Sequence, residues 1–191
     1  ISETPHFLVK YQPDLVQEAA EVCKDTEIAY SSVLKVLHLE PRGKVTIKLY
    51  GDQELLRQSS DIPVAYLFTG WNEDGESIKL YARRGGASFE AVLAHELVHQ
   101  ITLGISDSQP SWLAEGLAMY FVSQPLEGGN ALQLEDASAS DLALPVSWLE
   151  ETNLIESNDG QTVRLYYAVS GMLVQFMVET HGLDRLHSVL N

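Results

Sequence analysis

The string His95-Glu96-Leu97-Val98-His99 constrains this chain more than any other part of it. Read on a helix, a spacing of four residues is close to one turn, which sends both imidazoles out from one face roughly 6 Å apart. Two neighbouring ligands of a tetrahedral zinc ion need that separation. Glu96 is turned by about 100° around the axis, so its carboxylate stands beside the metal position rather than on it. From there it can take a proton from a metal-activated water. Three fixed positions also occur by chance on ordinary amphipathic helices, so the motif calls for a third ligand.

The downstream sequence nominates one. Leu103-Gly104 is followed by the polar stretch Ser106-Asp107-Ser108-Gln109-Pro110 and then by Ser111-Trp112-Leu113-Ala114-Glu115-Gly116-Leu117-Ala118-Met119-Tyr120-Phe121. Gly104 reads as the stop of the first helix and Pro110 as a residue in the first turn of the next. Trp112, Leu113, Leu117, Tyr120 and Phe121 recur at helical spacing. Such an αα-hairpin folds the second helix back on the first, so Glu115 can face the two histidines. A solvated surface carboxylate is the other reading of Glu115. Yet Ala114, Gly116, Leu117 and Ala118 surround it, and a buried Glu needs a partner. A metal would supply that partner. Asp107 is the alternative carboxylate ligand.

On these strings, from Val92 to His99 and from Trp112 to Ala118, the chain resembles the gluzincins, zinc peptidases whose H-E-x-x-H helix is followed by a Glu ligand on the next helix. The likeness is greatest to compact peptidase-MA-like bacterial domains and aminopeptidase-type catalytic domains. It is specific over about 88–122 and looser from 44 to 190. The resemblance implies His95, His99 and Glu115 as ligands of Zn2+ and Glu96 as general base. The metzincin signature fails, because it wants a third histidine six residues after His99, where this chain has Ile105. In thermolysin-type members a carboxylate one turn past the ligand Glu steadies a histidine; here that position is Met119. The partner of each histidine is therefore not identified.

Related gluzincins carry Tyr-x-x-Ser/Gly at the start of a long helix, the tyrosine donating to the tetrahedral oxyanion. Tyr166-Tyr167-Ala168-Val169-Ser170 matches, and the resemblance implies Tyr167 as donor with Tyr166 as the fallback. From the residues alone, both tyrosines read equally as packing at a helix start.

Residues 13–38 have helical periodicity, Val45–Tyr50 alternates as a strand, and Asp52 caps a short helix to about Gln58. Val64–Phe68 and Ser77–Ala82 read as further strands, with Trp71–Glu76 as a turn. By resemblance, 77–82 is the edge strand that pairs with an extended substrate; the bland alternative is a plain structural edge. Residues 123–141 read as an exposed loop, and segments near 145–151, 161–180 and 183–190 as helices. The expected fold is α+β and zincin-like, a single catalytic domain of 191 residues. Its N-terminal lobe, about 1–104, carries a small mixed sheet and the H-E-x-x-H helix, and its C-terminal lobe, about 105–191, is all α.

The other histidines that lack ligand spacing, His6, His38, His181 and His187, read as surface or capping residues. Glu150-Glu151 reads as a solvated helix end, and Arg83-Arg84 as a surface pair or a flank of the cleft. A net charge of −15 argues against nucleic acid and against an anionic membrane surface. It suits solubility first and basic substrates second. Cys23 is the sole cysteine, which excludes an intrachain disulfide. No transmembrane run or signal peptide appears in this segment, and the start at Ile1 reads as a processed or excised fragment. The resemblance implies export or membrane anchoring in a bacterium, and the sequence gives no oligomeric state.

The expected activity is zinc-dependent hydrolysis of peptide bonds in a peptide or protein substrate by a metal-activated water. The Gly-x-Met-Glu-Asn segment of the aminopeptidase branch is absent, with Arg83-Arg84-Gly85-Gly86 in its neighbourhood, so the expectation is an endopeptidase. The competing class is a non-catalytic binding or scaffold module that keeps the zincin fold. The intact Glu96 counts against it.

Overall fold

Alternation decides the central strand. In β3 (Val45–Tyr50) the residues Val45, Ile47 and Leu49 are buried, while Thr46, Lys48 and Tyr50 face the other side, as a period of two requires. The structure, a computed structural model, describes residues 1–37, 43–59, 70–73, 76–82, 89–102, 109–123, 144–154, 157 and 159–190. β1 (Ser2–Glu3) and β2 (Phe7–Lys10) form an N-terminal hairpin to which the sequence reading assigned no element. β2 pairs parallel with β3, and β3 pairs parallel with β5 (Ser77–Tyr81). β4 (Gly70–Glu73) pairs antiparallel with β5, giving a mixed five-stranded sheet in the order β1-β2-β3-β5-β4.

Two expectations are corrected here. Trp71–Glu73 is strand, not turn: Trp71 pairs with Lys79, Asn72 with Ile78 and Glu73 with Ser77. The Asn-Glu-Asp-Gly composition reads locally as a turn, but the ladder to β5 and the packing of Trp71 against Leu56 win. The reversal is tightened by the Glu76 N–H donating to the Glu73 carbonyl at 2.6 Å. β5 is also not the edge. It lies between β3 and β4, and among the described strands the edge on that side is β4. The expected strand 64–68, the stop at Gly104, and Asp107, Arg83, Arg84 and His38 lie outside the described residues, as does all of the loop 123–141 beyond Ser123.

The helices follow their sequence signals. A 3-10 turn at Pro13–Leu15 leads into α1 (Val16–Leu37), which buries Ala19, Val22, Ala29, Val33 and Leu37. His6 is half-exposed. It fastens the hairpin to α1 through Nδ1, 2.7 Å from Glu27 Oε2, and by stacking on Tyr30. Asp52 caps α2 (Gln53–Gln58) by accepting from the N–H groups of Glu54 and Leu55. α3 (Phe89–Thr102) is buried on most of its surface, wedged between the sheet, α1 and α4 (Ser111–Ser123). The described elements after residue 109 are all helices: α4, α5 (Val146–Glu151), α6 (Gly160–His181) and α7 (Leu183–Leu190). Asp159 caps the start of α6, and Gly182 ends it with φ of 80°.

α4 packs mainly on α6 and also against α3. The α4–α6 contact depends on one missing side chain. A Cβ at Gly116 would stand 2.5 Å from the Ser170 carbonyl oxygen and 2.7 Å from Val174 Cγ2. Every large apolar side chain buried along this seam contributes on the order of 1.5–3 kcal/mol. Val174 is one of them.

Candidate metal centre and active site

One turn of α3 separates His95 from His99, and their rings meet edge-on with centroids 4.8 Å apart. Their Nε2 atoms are 3.2 Å apart. α4 packs against α3 and brings Glu115 Oε2 to 3.2 Å from His95 Nε2 and 3.3 Å from His99 Nε2. The three donor atoms thus form a nearly equilateral triangle. A tetrahedral ion with bonds of about 2.0–2.1 Å sets neighbouring donors about 3.3 Å apart, so the triangle has the size of one face of such a shell. Glu115 Oε2 is buried without a hydrogen-bond partner, its contacts to the histidines being close but not aligned as hydrogen bonds. Among the described residues these are the three whose donor atoms could share a metal ion. The donor set of two imidazoles and a carboxylate fits zinc.

The electrostatics favour a cation. Burial opposes charge on His99, but Glu115 beside it overcomes that and carries the imidazolium up to about 9. Burial likewise opposes charge on Glu115, yet the adjoining His99 and His95 hold its carboxyl far below the usual range.

Glu96 stands outside the triangle and is buried, with 6% of its surface exposed. Burial pushes its carboxyl up, opposed by the charges of His95 and His99, raised further by Glu115, and lowered by a hydrogen bond from the Asn72 backbone. The Asn72 side chain also reaches α3: Nδ2 donates to the Glu96 carbonyl oxygen at 3.2 Å, and Oδ1 accepts from Gln100 Nε2 at 2.9 Å. The sequence reading passed over Asn72 by placing it in a turn. Nothing local in the text marks it, because the β4–β5 register brings it to the site.

The two tyrosines of α6 part company. Tyr167 lies edge-on to His95, with centroids 5.8 Å apart, and burial followed by the charges of Glu115 and Glu96 pushes its phenol well above the usual value. Tyr166 turns to the other side, where it packs with Leu149, Val169 and the Trp148 ring 6.1 Å away. Burial and then Glu115 push its phenol up to about 12. Met119 is half-buried against the main core and provides no carboxylate.

A sequence profile of the peptidase MA superfamily matches residues 80–191, from β5 through both histidines and Glu115 to the last helix. That stretch is more than half of the chain. The chain belongs to the peptidase MA superfamily. Its members are generally zinc-dependent, and membership points to a metallopeptidase-like function. A search of curated proteins finds no match. None of the described helices is long and apolar enough to cross a membrane.

Proposed function

We propose that this chain is a zinc-dependent peptidase of the gluzincin type that hydrolyses internal peptide bonds. The observation that carries the proposal is the triangle of His95 Nε2, His99 Nε2 and Glu115 Oε2, with edges of 3.2–3.3 Å, inside the superfamily match. His95, His99 and Glu115 would hold the ion. Zinc bound there would supply Lewis-acid polarisation of the attacking water and the scissile carbonyl.

The remaining chemistry belongs to the chain. Glu96 takes the proton of the attacking water on its carboxylate and passes it to the leaving amine. Its burial suits this role, since desolvation disfavours the charged carboxylate and so favours uptake of the proton. The Tyr167 hydroxyl donates to the oxyanion that develops on the carbonyl oxygen. The zincin-like arrangement forms one catalytic domain, with the sheet and α3 on one side of the site and α4 and α6 on the other. Endopeptidase action rests on the missing Gly-x-Met-Glu-Asn segment, which in the aminopeptidase branch binds the substrate amine. A scaffold module has no use for a buried carboxylate like Glu96, whose desolvation is costly.

The deciding experiment compares wild type and Glu96→Gln on a mixed peptide library, with zinc measured in both. Wild type should cleave internal bonds with close to one zinc per chain, and the variant should keep the zinc and lose the cleavage. A zinc-loaded wild type that cleaves nothing, or equal cleavage by both proteins, would sink the peptidase reading.

A further inference from the structure

Asn72 is neither in the donor triangle nor on the proton path, yet three hydrogen bonds link it to one turn of α3. Its backbone N–H donates to the Glu96 carboxylate, Nδ2 donates to the Glu96 carbonyl oxygen at 3.2 Å, and Oδ1 accepts from Gln100 Nε2 at 2.9 Å. The residue lies on β4, the outer strand on that side of the described sheet, opposite Ile78. Alternate residues of an antiparallel edge strand turn their backbone polar groups away from the neighbouring strand, where they await a partner. At Asn72 the partner is the Glu96 carboxylate. β4 also lies hard against α3 two residues earlier, where a Cβ at Gly70 would come within 3.0 Å of Val92 Cγ1.

We propose that Asn72 is a positioning residue for Glu96. Its backbone N–H aims the carboxylate, and its side chain grips the Glu96 carbonyl and Gln100 so that β4 keeps its register on that turn of α3. A glutamate has three side-chain torsions, and a proton acceptor works only within hydrogen-bond reach of its water. A displacement of about 1 Å at a reacting group can cost on the order of 10²-fold in rate. The side-chain grip therefore fixes where the backbone donor, and with it the carboxylate, stands. The catalytic consequence rests on the peptidase reading; the geometric one does not.

The test has two arms, both on the full zinc-loaded chain. Amide hydrogen exchange followed by NMR reads the geometry without any turnover. The residue 72 amide should exchange slowly in wild type and at least about tenfold faster in Glu96→Ala and in Asn72→Ala, with the Ile78 and Leu80 amides unchanged. Unaltered exchange at residue 72 in Glu96→Ala would overturn the proposal. In the activity arm Asn72→Ala should lower kcat by about 10–100-fold with KM within about twofold and zinc content unchanged. Gln100→Ala, which leaves Asn72 and its bond to the Glu96 carbonyl in place, should show the same pattern more weakly, and it decides the matter if Asn72→Ala does not fold. Unchanged kcat in zinc-loaded Asn72→Ala, or in Gln100→Ala where that variant decides, overturns the positioning role. Absence of hydrolysis by wild type counts against the peptidase reading alone, and the exchange arm then decides the proposal.

Discussion

Gly116→Ala adds one methyl where α4 lies close against α6, beside Glu115. The new carbon would stand 2.5 Å from the Ser170 carbonyl oxygen, 2.9 Å from the carbonyl carbon and 2.7 Å from Val174 Cγ2. Comfortable contact for such atoms is about 3.5–4.0 Å, so the overlap approaches an ångström. Two of the three atoms are backbone and cannot swing aside. Two effects oppose each other. Alanine in place of glycine inside a helix gains about 1 kcal/mol of propensity, while overpacking a close-packed seam costs about 1–3 kcal/mol. A backbone clash belongs at the upper end, leaving a net loss of about 2 kcal/mol, or roughly 4–8 °C in Tm for a chain of this size. The metal site should suffer more. If α4 yields by even half of the overlap, Glu115 Oε2 moves by more than the ±0.2 Å or so that coordination distances tolerate. Zinc affinity should fall at least about tenfold, read by competition with a chelating dye, and thermal unfolding should be measured with and without zinc. An alanine variant as stable as wild type with undiminished zinc affinity would refute the reasoning, because the seam would then be slack and Gly116 incidental to the placing of Glu115.

Glu115→Ala should lower zinc affinity by two orders of magnitude or more while Glu96→Ala keeps most of it; full retention by Glu115→Ala, measured by metal analysis after dialysis, would remove Glu115 from the donor set. Tyr167→Phe should cut kcat by about 10²–10³ with KM little altered, and Tyr166→Phe should leave activity within a few-fold, a contrast that steady-state kinetics on a cleaved peptide decides. Lys48, then Lys79 and Ser77, hold the Glu73 carboxyl down to about 2. A carboxyl lowered in the folded state stabilises fully above its unfolded value of 4.5 and loses that contribution as pH falls toward 2. With a third of the side chain exposed, screening leaves about 1–2 kcal/mol. Urea unfolding of wild type and Glu73→Gln should therefore differ at pH 7 and converge by about pH 2, whereas a pH-independent difference would break the assignment.

What the sequence made legible was what local spacing settles. The i, i+4 histidines, the Asp52 cap, the alternation of β3 and the period of α4 each depend on neighbours within a turn or two, and each element forms where its pattern lies. β4 was misread because its strand character is not local. Asn72 and Glu73 have turn propensities, and Trp71 packs on Leu56 of α2, which lies well upstream of the residues that set those propensities. The identity of the edge strand is a matter of topology as well. β5 runs parallel to β3, and which side the β4 arm of the hairpin takes is decided by the packing of β4 on α3 rather than by either strand's periodicity.

The choice between Tyr166 and Tyr167 shows most directly why resemblance alone left two candidates. Viewed down α6 from Ser170, Tyr167 points about 60° to one side and Tyr166 about 40° to the other. Ser170 is the point where α6 touches Gly116 of α4, so that contact is a divide with one tyrosine on each flank. The flank toward α3 holds His95 and receives Tyr167; the flank toward α5 holds Trp148 and Leu149 and receives Tyr166. Sequence specifies that the two rings diverge by about 100°, but which flank meets α3 depends on how α4 lies between α3 and α6. That arrangement is set at Gly116, one residue from Glu115. The same missing side chain thus lies beside both the carboxylate that reaches the histidines and the divide that leaves Tyr167 edge-on to His95. This is why a methyl at residue 116 is the more searching perturbation: it strains the carboxylate and the phenol together, whereas substitutions at Glu115 or Tyr167 remove only one of them.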